Sequence, residues 1–218
     1  MENEELLCFE TARMNTYQVL SQLYQPPDKC LQKNVRLLAE NLYHVYPGLI
    51  KHVHLTQEHL YPKLDFENLV IDFTRLFVGP FSLPAPPYGS VYMENERKVM
   101  GDSSMDAKRR YQSFGLDISK NIKEVPDHIT VELEFMFFLI YKEIESIQSN
   151  ASEQTQELIC HQKSFLCDHL NMWVPDFTNC VIEHAGTEFY RNLAKATRIF
   201  ITEEIEYLES VTTSVTQD

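Results

Sequence analysis

The chain has 218 residues, 44% of them hydrophobic and 11% aromatic, with a formal net charge of −13 and a pI near 5.0. That length and composition suit a globular protein with a full core and exclude a disordered chain. The charge argues against nucleic-acid binding, because phosphate neutralisation needs a basic face and Lys108-Arg109-Arg110 is the one short basic cluster.

The opening, MENEELLCFETARM, has neither the basic start nor the apolar run of a secretory leader, so a cytoplasmic protein is expected. Apolar residues then recur at helical spacing through Phe9, Ala12, Thr16, Val19, Leu20 and Leu23, which predicts a first helix ending at Pro26-Pro27. A second is expected from Asp28 to Tyr43, stopped near Pro47-Gly48. Ile50–Lys63 settles on no period, whereas Phe66–Phe77 reads as a helix with Leu69, Phe73, Leu76 and Phe77 on one side. Gly79–Tyr92 follows as GPFSLPAPPYGSVY, with four prolines, two glycines and three aromatics, and cannot continue that helix. Met93–Ser104 alternates too weakly for a strand. Asp102 or Ser103 is expected to cap a helix reaching Phe114.

Gly115–Pro126 reads as a connector, and a helix runs from Asp127 to Gln148. Its apolar run, Phe135–Tyr141, is far short of a bilayer span. Further helices are expected over Glu153–Leu170 and Thr187–Ser210, the latter with Phe189, Leu193, Ala196, Phe200, Ile205 and Leu208 along one face. Trp173-Val174-Pro175 should break the chain between them, with a short helix over Asp176–His184. No strand pattern or repeat is visible, so the fold class is all-α.

Most side-chain clusters that suggest chemistry have a plainer reading. His44, His52, His54 and His59 lie close in sequence, but their spacing fits no zinc cage, and ordinary surface or partly buried histidines are the better account. No pair of Glu-x-x-His helices supports a di-iron site. Of the five cysteines, at 8, 30, 160, 167 and 180, none forms Cys-x-x-Cys, and reduced thiols are expected. Cys160 and Cys167 are seven apart and read as buried thiols on one helical stripe. Neither a nucleophile elbow nor a phosphate-cradling or dinucleotide glycine pattern is present, so an enzyme is disfavoured, and no metal or cofactor is expected.

Two segments resist a plain reading. In Glu124–Met136, Asp127 after Pro126 suits a helix N-cap, yet capping explains neither His128 nor the entry of Glu132 and Glu134 into an apolar helix. A cap and an acidic, hydrogen-bonding site both stand on these residues. The proline–aromatic stretch is open in the same way: its rings either fold back onto the bundle or wall a groove in which proline stiffness preorganises them for an apolar peptide.

Taken together, the two segments resemble the TorD/DmsD family of redox-enzyme maturation chaperones. The resemblance rests on Gly79-Pro80, Pro86–Tyr92, Gly101–Ser103, Glu124-x-Pro126-Asp127-His128, Glu132–Met136, His169-Leu170-x-x-Trp173-x-Pro175 and Phe189-Tyr190, and it runs from about Phe66 to Phe200. It implies a TorD-like bundle of roughly nine to eleven helices with an ordered proline-rich loop and a hinge connector. It further implies one domain over 1–218, with an N-terminal portion over 1–115, a connector over 116–126 and a C-terminal portion over 127–218.

The implied function is that of a cytoplasmic chaperone, not an enzyme. It would bind the twin-arginine signal peptide of a molybdopterin oxidoreductase precursor of the DMSO or TMAO reductase type, before export by the Tat translocase. Carried onto matching positions, the peptide-binding residues are Phe81, Pro87, Tyr88, Gly89, Tyr92, Gly101, Asp127 and His128, with Phe73 and Phe77 as a wall leading into the loop. Tyr88 and Tyr92 stand where the family loop typically has tryptophan. The alternatives are a helical adaptor for an unrelated enzyme, or a small metal- or nucleotide-handling enzyme on the same bundle.

Overall fold

Side chains from the early and late parts of the chain meet in the core, Tyr17 against Phe200 and Tyr24 hydrogen-bonded to Thr197. The structure, a computed structural model, describes residues 2–48, 65–80, 82–94, 99–117 and 125–215. The described residues form α1 (Glu2–Leu23), α2 (Leu31–Val45), α3 (Phe66–Phe73), α4 (Gly89–Met93), α5 (Asp102–Ser113), α6 (Ile129–Gln148), α7 (Ser152–Phe165), α8 (Asn171–His184) and α9 (Glu188–Val215). Among them there is no strand, only an isolated antiparallel bridge between Tyr88 and His128. The fold is all-α, as the sequence predicts. The ambiguous segment Ile50–Lys63, with His52, His54 and His59, lies outside the described residues, as does connector 118–124.

The first helix packs against α2 and α6, α6 also meets α7, and α8 lies on α9. The buried face of α1 carries Ala12, Thr16, Tyr17, Val19, Leu20 and Leu23, matching the sequence periodicity. Trp173, Tyr17, Tyr190, Phe165, Phe177 and Phe200 fill the centre with their side chains fully enclosed. Asp65 caps α3 by accepting from Asn68 N. On the same helix, Asp72 accepts from Gly186 N, Thr187 N and Thr187 Oγ1 at 3.0, 2.8 and 2.8 Å, which ties α3 to the start of α9.

A charged cluster is sealed where α1, α6, α7 and α9 meet. Fully buried Arg13 pairs with Glu10 and Glu204, and its Nη2 also donates to Gln162 Oε1 at 3.1 Å. Glu143 lies 3.9 Å from the same guanidinium. Tyr46 and Tyr207 donate to Glu204 and Glu10 at 2.7 and 2.6 Å. Burial, reinforced by nearby Glu10, pushes the Glu143 carboxyl up to about 7 against the opposing pull of Arg13.

Three expectations are corrected. The chain does not break at Trp173–Pro175: α7 passes through a π-helical turn at Leu166–Leu170 into α8, with Pro175 inside the helix. Proline in a helix costs about 3 kcal/mol, but burying Trp173, Val174 and Phe177 contributes about 2 kcal/mol each and outweighs it. Cys160 is exposed and Cys167 half-buried, because Leu158, Gln162 and Phe165 set the inward face of α7 and Cys160 falls off that stripe. Residues 89–93, read as loop, form the short helix α4.

Candidate functional site

The two segments singled out in the sequence meet in space. Gly89 N donates to Asp127 O and Ile129 N to Pro87 O, each at 2.9 Å, which places Tyr88 beside His128. Their rings lie edge to face with centroids 5.2 Å apart. These bonds clamp the proline-rich stretch to the start of α6, and Asp127 Oδ2 completes the clamp by accepting from Ser90 N at 2.6 Å.

The cap assignments change accordingly. Asp127 is fully buried and its carboxylate turns back to the Ser90 amide of α4 instead of capping the helix that follows it. His128 is the N-cap of α6: its Nδ1 accepts from Thr130 N at 3.3 Å and lies 2.7 Å from Thr130 Oγ1. Burial, partly offset by Asp127, lowers the His128 imidazole to about 4, so it is neutral near pH 7 and able to accept this bond.

Likewise neither Asp102 nor Ser103 caps α5; Gly101 holds that position. The carboxylate of Glu94 accepts from Ser103 N and Oγ at 3.1 and 2.8 Å and lies directly over Gly101. A Cβ at Gly101 would displace it.

Around this clamp the rings differ in exposure. Tyr88 and Tyr92 are half-buried, whereas Pro87 and Gly89 are buried. Tyr92 stacks on Trp173 at 5.8 Å and meets Phe177 edge-on at 6.2 Å. A Cβ built on Gly89 would sit 3.1 Å from Trp173 Nε1, so glycine allows α4 to lie against the indole. Gly79, at φ 99°, turns the chain out of the π-helical turn Thr74–Val78 that extends α3. Phe73 and Phe77 are buried; Phe77 packs with Tyr24, Phe177 and Tyr190, behind the site rather than on its surface. Phe81 lies outside the described residues.

Behind Tyr92, Trp173 Nε1 donates to Glu132 Oε2 at 2.9 Å, and His169 stands between Glu132 and Asp106. The sequence grouped Glu132 with Asp127 and His128 as a candidate acidic, hydrogen-bonding edge and set His169 and Trp173 in one motif, but it placed neither His169 nor Trp173 at the site. Among the described residues no group of three or more His, Cys, Asp or Glu side chains is positioned to hold a metal ion.

A family model described as the nitrate reductase delta subunit matches residues 30–179. The chain belongs to this family. Over 133 residues it is 31% identical to the Tat proofreading chaperone DmsD of Salmonella typhi, a match covering 61% of this chain and 58% of that protein. It is 28% identical over 144 residues to the chaperone protein TorD of Vibrio parahaemolyticus, covering 65% of this chain and 64% of TorD. With a perchlorate reductase assembly chaperone protein of Dechloromonas aromatica it shares 29% identity over 169 residues, 73% and 70% of the two chains.

The aligned region thus spans less than two thirds of the DmsD and TorD proteins. A crystal structure from Archaeoglobus fulgidus, assigned as a redox enzyme maturation protein, superposes with a TM-score of 0.55 at 25% identity, covering 87% of this chain and 93% of that one. The TorD/DmsD resemblance carried by Pro86–Tyr92 and Pro126-Asp127-His128 agrees with these relatives.

Proposed function

We propose that the protein is a cytoplasmic chaperone that binds the twin-arginine signal peptide of a molybdopterin oxidoreductase precursor, of the DMSO or TMAO reductase type. It would hold that precursor back from the Tat translocase until the molybdenum cofactor is in place. The observation that carries this reading is the clamp itself, which holds Tyr88 and His128 side by side. The names of the DmsD, TorD and perchlorate reductase relatives support a maturation role.

Tyr88 and Tyr92 are aromatic rings each partly enclosed by the protein. Rings fixed before binding lose little entropy when an apolar segment settles on them. Burying that segment contributes about 25 cal/mol per Å², whereas each exposed ion pair contributes about 0–1 kcal/mol. Apolar contact therefore supplies most of the affinity. The enclosed Asp127 holds the platform, and the acidic side chains of half-buried Glu94 and exposed Asp102, just beyond α4 in the chain, select the arginines.

In this reading Pro87, Tyr88, Gly89, Tyr92, Gly101, Asp127 and His128 form the platform, with buried Phe73 and Phe77 packed behind it. Purification of the tagged full chain from its native cells tests the proposal. A co-purifying precursor that retains its leader is the expected result. Recovery of the chain with no precursor, together with no affinity for a synthetic leader peptide, contradicts it.

A further inference from the structure

A buried chain of polar groups runs from the surface to the back of Tyr92. Asp106, with a side chain 38% exposed, lies 2.9 Å from His169 Nε2 through its Oδ2. His169 Nδ1 faces Glu132 Oε1 across 3.6 Å, and Glu132 Oε2 accepts from Trp173 Nε1 at 2.9 Å. Trp173 in turn carries the stacked ring of Tyr92 and the close approach of Gly89. His169, Glu132 and Trp173 are all buried.

The 3.6 Å gap is the telling feature. Glu132 Oε1 and His169 Nδ1 each lack a hydrogen-bond partner. With Nε2 donating to Asp106, an unprotonated Nδ1 would point a lone pair at a buried carboxylate oxygen, an arrangement with nothing to offset desolvation. One proton shared by the pair removes the conflict, as imidazolium facing carboxylate or as imidazole facing carboxylic acid. We propose that Asp106, His169 and Glu132 form a proton-holding relay that positions Trp173, and through it Tyr92 and α4, for peptide binding. The last link rests on the peptide-binding reading above.

The charged groups facing the relay pull both ways. Arg110 Nε donates to the same Asp106 Oδ2 at 2.9 Å and Arg109 Nη2 to Asp106 Oδ1 at 3.1 Å, while the carboxylates hold a proton on His169. Burial alone would lower His169, but Glu132 and Asp106 outweigh it and hold the imidazole above its ordinary value, while Arg110 opposes them. Burial raises Glu132, helped by Asp127 and opposed by His169 and Trp173. Asp168 is drawn off to Arg110 at 2.7 Å, and Tyr111 is engaged with Pro126 O. A group raised on folding contributes fully below its ordinary value and loses that contribution as pH climbs through the raised one. The shared proton therefore leaves on the alkaline side of about pH 6.5, and the platform loosens there. His128 titrates far below this window, near 4.

Trp173 is the single tryptophan of the chain, so emission excited selectively in tryptophan reports on the surroundings of this one indole. Emission is followed from about pH 6 to about pH 9, beside calorimetric titration with a synthetic peptide bearing two consecutive arginines and an apolar segment. The expected result is a one-proton emission step above about pH 6.5, with peptide affinity falling roughly tenfold across the same step. In His169→Gln, which keeps a donor for Asp106, the step and the affinity change disappear. In Glu132→Gln the step moves to lower pH.

A wild-type emission that stays flat overturns the relay, as does a step that survives unchanged in both variants. Affinity that ignores the step while the peptide binds normally overturns the link to Tyr92. Absence of binding at every pH overturns the peptide-binding reading instead, and the emission step still decides the relay.

Discussion

At the scale of single residues, the informative positions are polar groups with no exposed surface to justify their cost. His128 uses its ring twice, as the N-cap of α6 and as the edge against Tyr88. The two roles separate by substitution. His128→Ala should lose about 1 kcal/mol of stability with the cap. His128→Asn, which keeps a cap, should recover most of it by urea denaturation yet still bind the leader peptide weakly, because the ring is gone. Equal affinity of His128→Asn and the native chain would leave the ring without a role.

Glu143 offers a second residue-scale test. Its folded value of about 7 stands above the ordinary value of about 4.3, so its contribution is complete at low pH and lost as pH rises through 7. Glu143→Gln retains an acceptor for Gln162 Nε2, which now bonds Oε2 at 2.6 Å. Relative to the native chain the variant should gain about 1–3 kcal/mol between about pH 5 and about pH 8, read from urea melts. A difference that does not vary with pH contradicts this account of the Arg13 cluster.

At the scale of elements, the periodic helices were legible and the short or irregular ones were not. The inward stripes of α1, α3 and α9 follow from their apolar spacing, and Phe189, Leu193, Ala196, Phe200 and Leu208 are buried as that spacing predicts. Helix α4 escaped because five residues, Gly89–Met93, carry no readable period and follow a proline-rich run. The continuity of α7 into α8 escaped because Pro175 is a local breaker, whereas the burial that overrides it comes from distant regions of the chain. The cap of α6 was off by one and that of α5 by one or two, because Asp127 and Glu94 act across space and not along the helix.

The contact between α4 and α8 supplies a prediction at this scale. Gly89→Val pushes a branched side chain into Trp173, where even a Cβ sits at 3.1 Å from Nε1. It should cost about 1–3 kcal/mol in urea melts and shift the tryptophan emission. Unchanged emission would mean that α4 does not rest on Trp173.

At the scale of the whole molecule, the site depends on joining two segments separated by an entire helix and connector. The sequence marked both as unusual, and family motifs linked them, but no local pattern states that Pro87 and Ile129 share a backbone hydrogen bond. Likewise the relay through His169 joins α5, α6 and the π-helical turn, a conjunction set by packing alone. The net charge of −13 surrounds the platform with a field that favours a cationic leader, yet that field is screened within about 10 Å at about 0.1 M salt. Affinity should therefore rest on the partly exposed rings of Tyr88 and Tyr92, and salt should act mainly on the rate of encounter.

Calorimetric titration of a synthetic twin-arginine leader into the native chain and Tyr88→Ala, at about 0.05 M and about 0.3 M salt, tests this most directly. Removing the ring should weaken binding at least about tenfold, while salt changes the native affinity only a few-fold. Normal binding by Tyr88→Ala, with loss of native binding at the higher salt, would contradict the account.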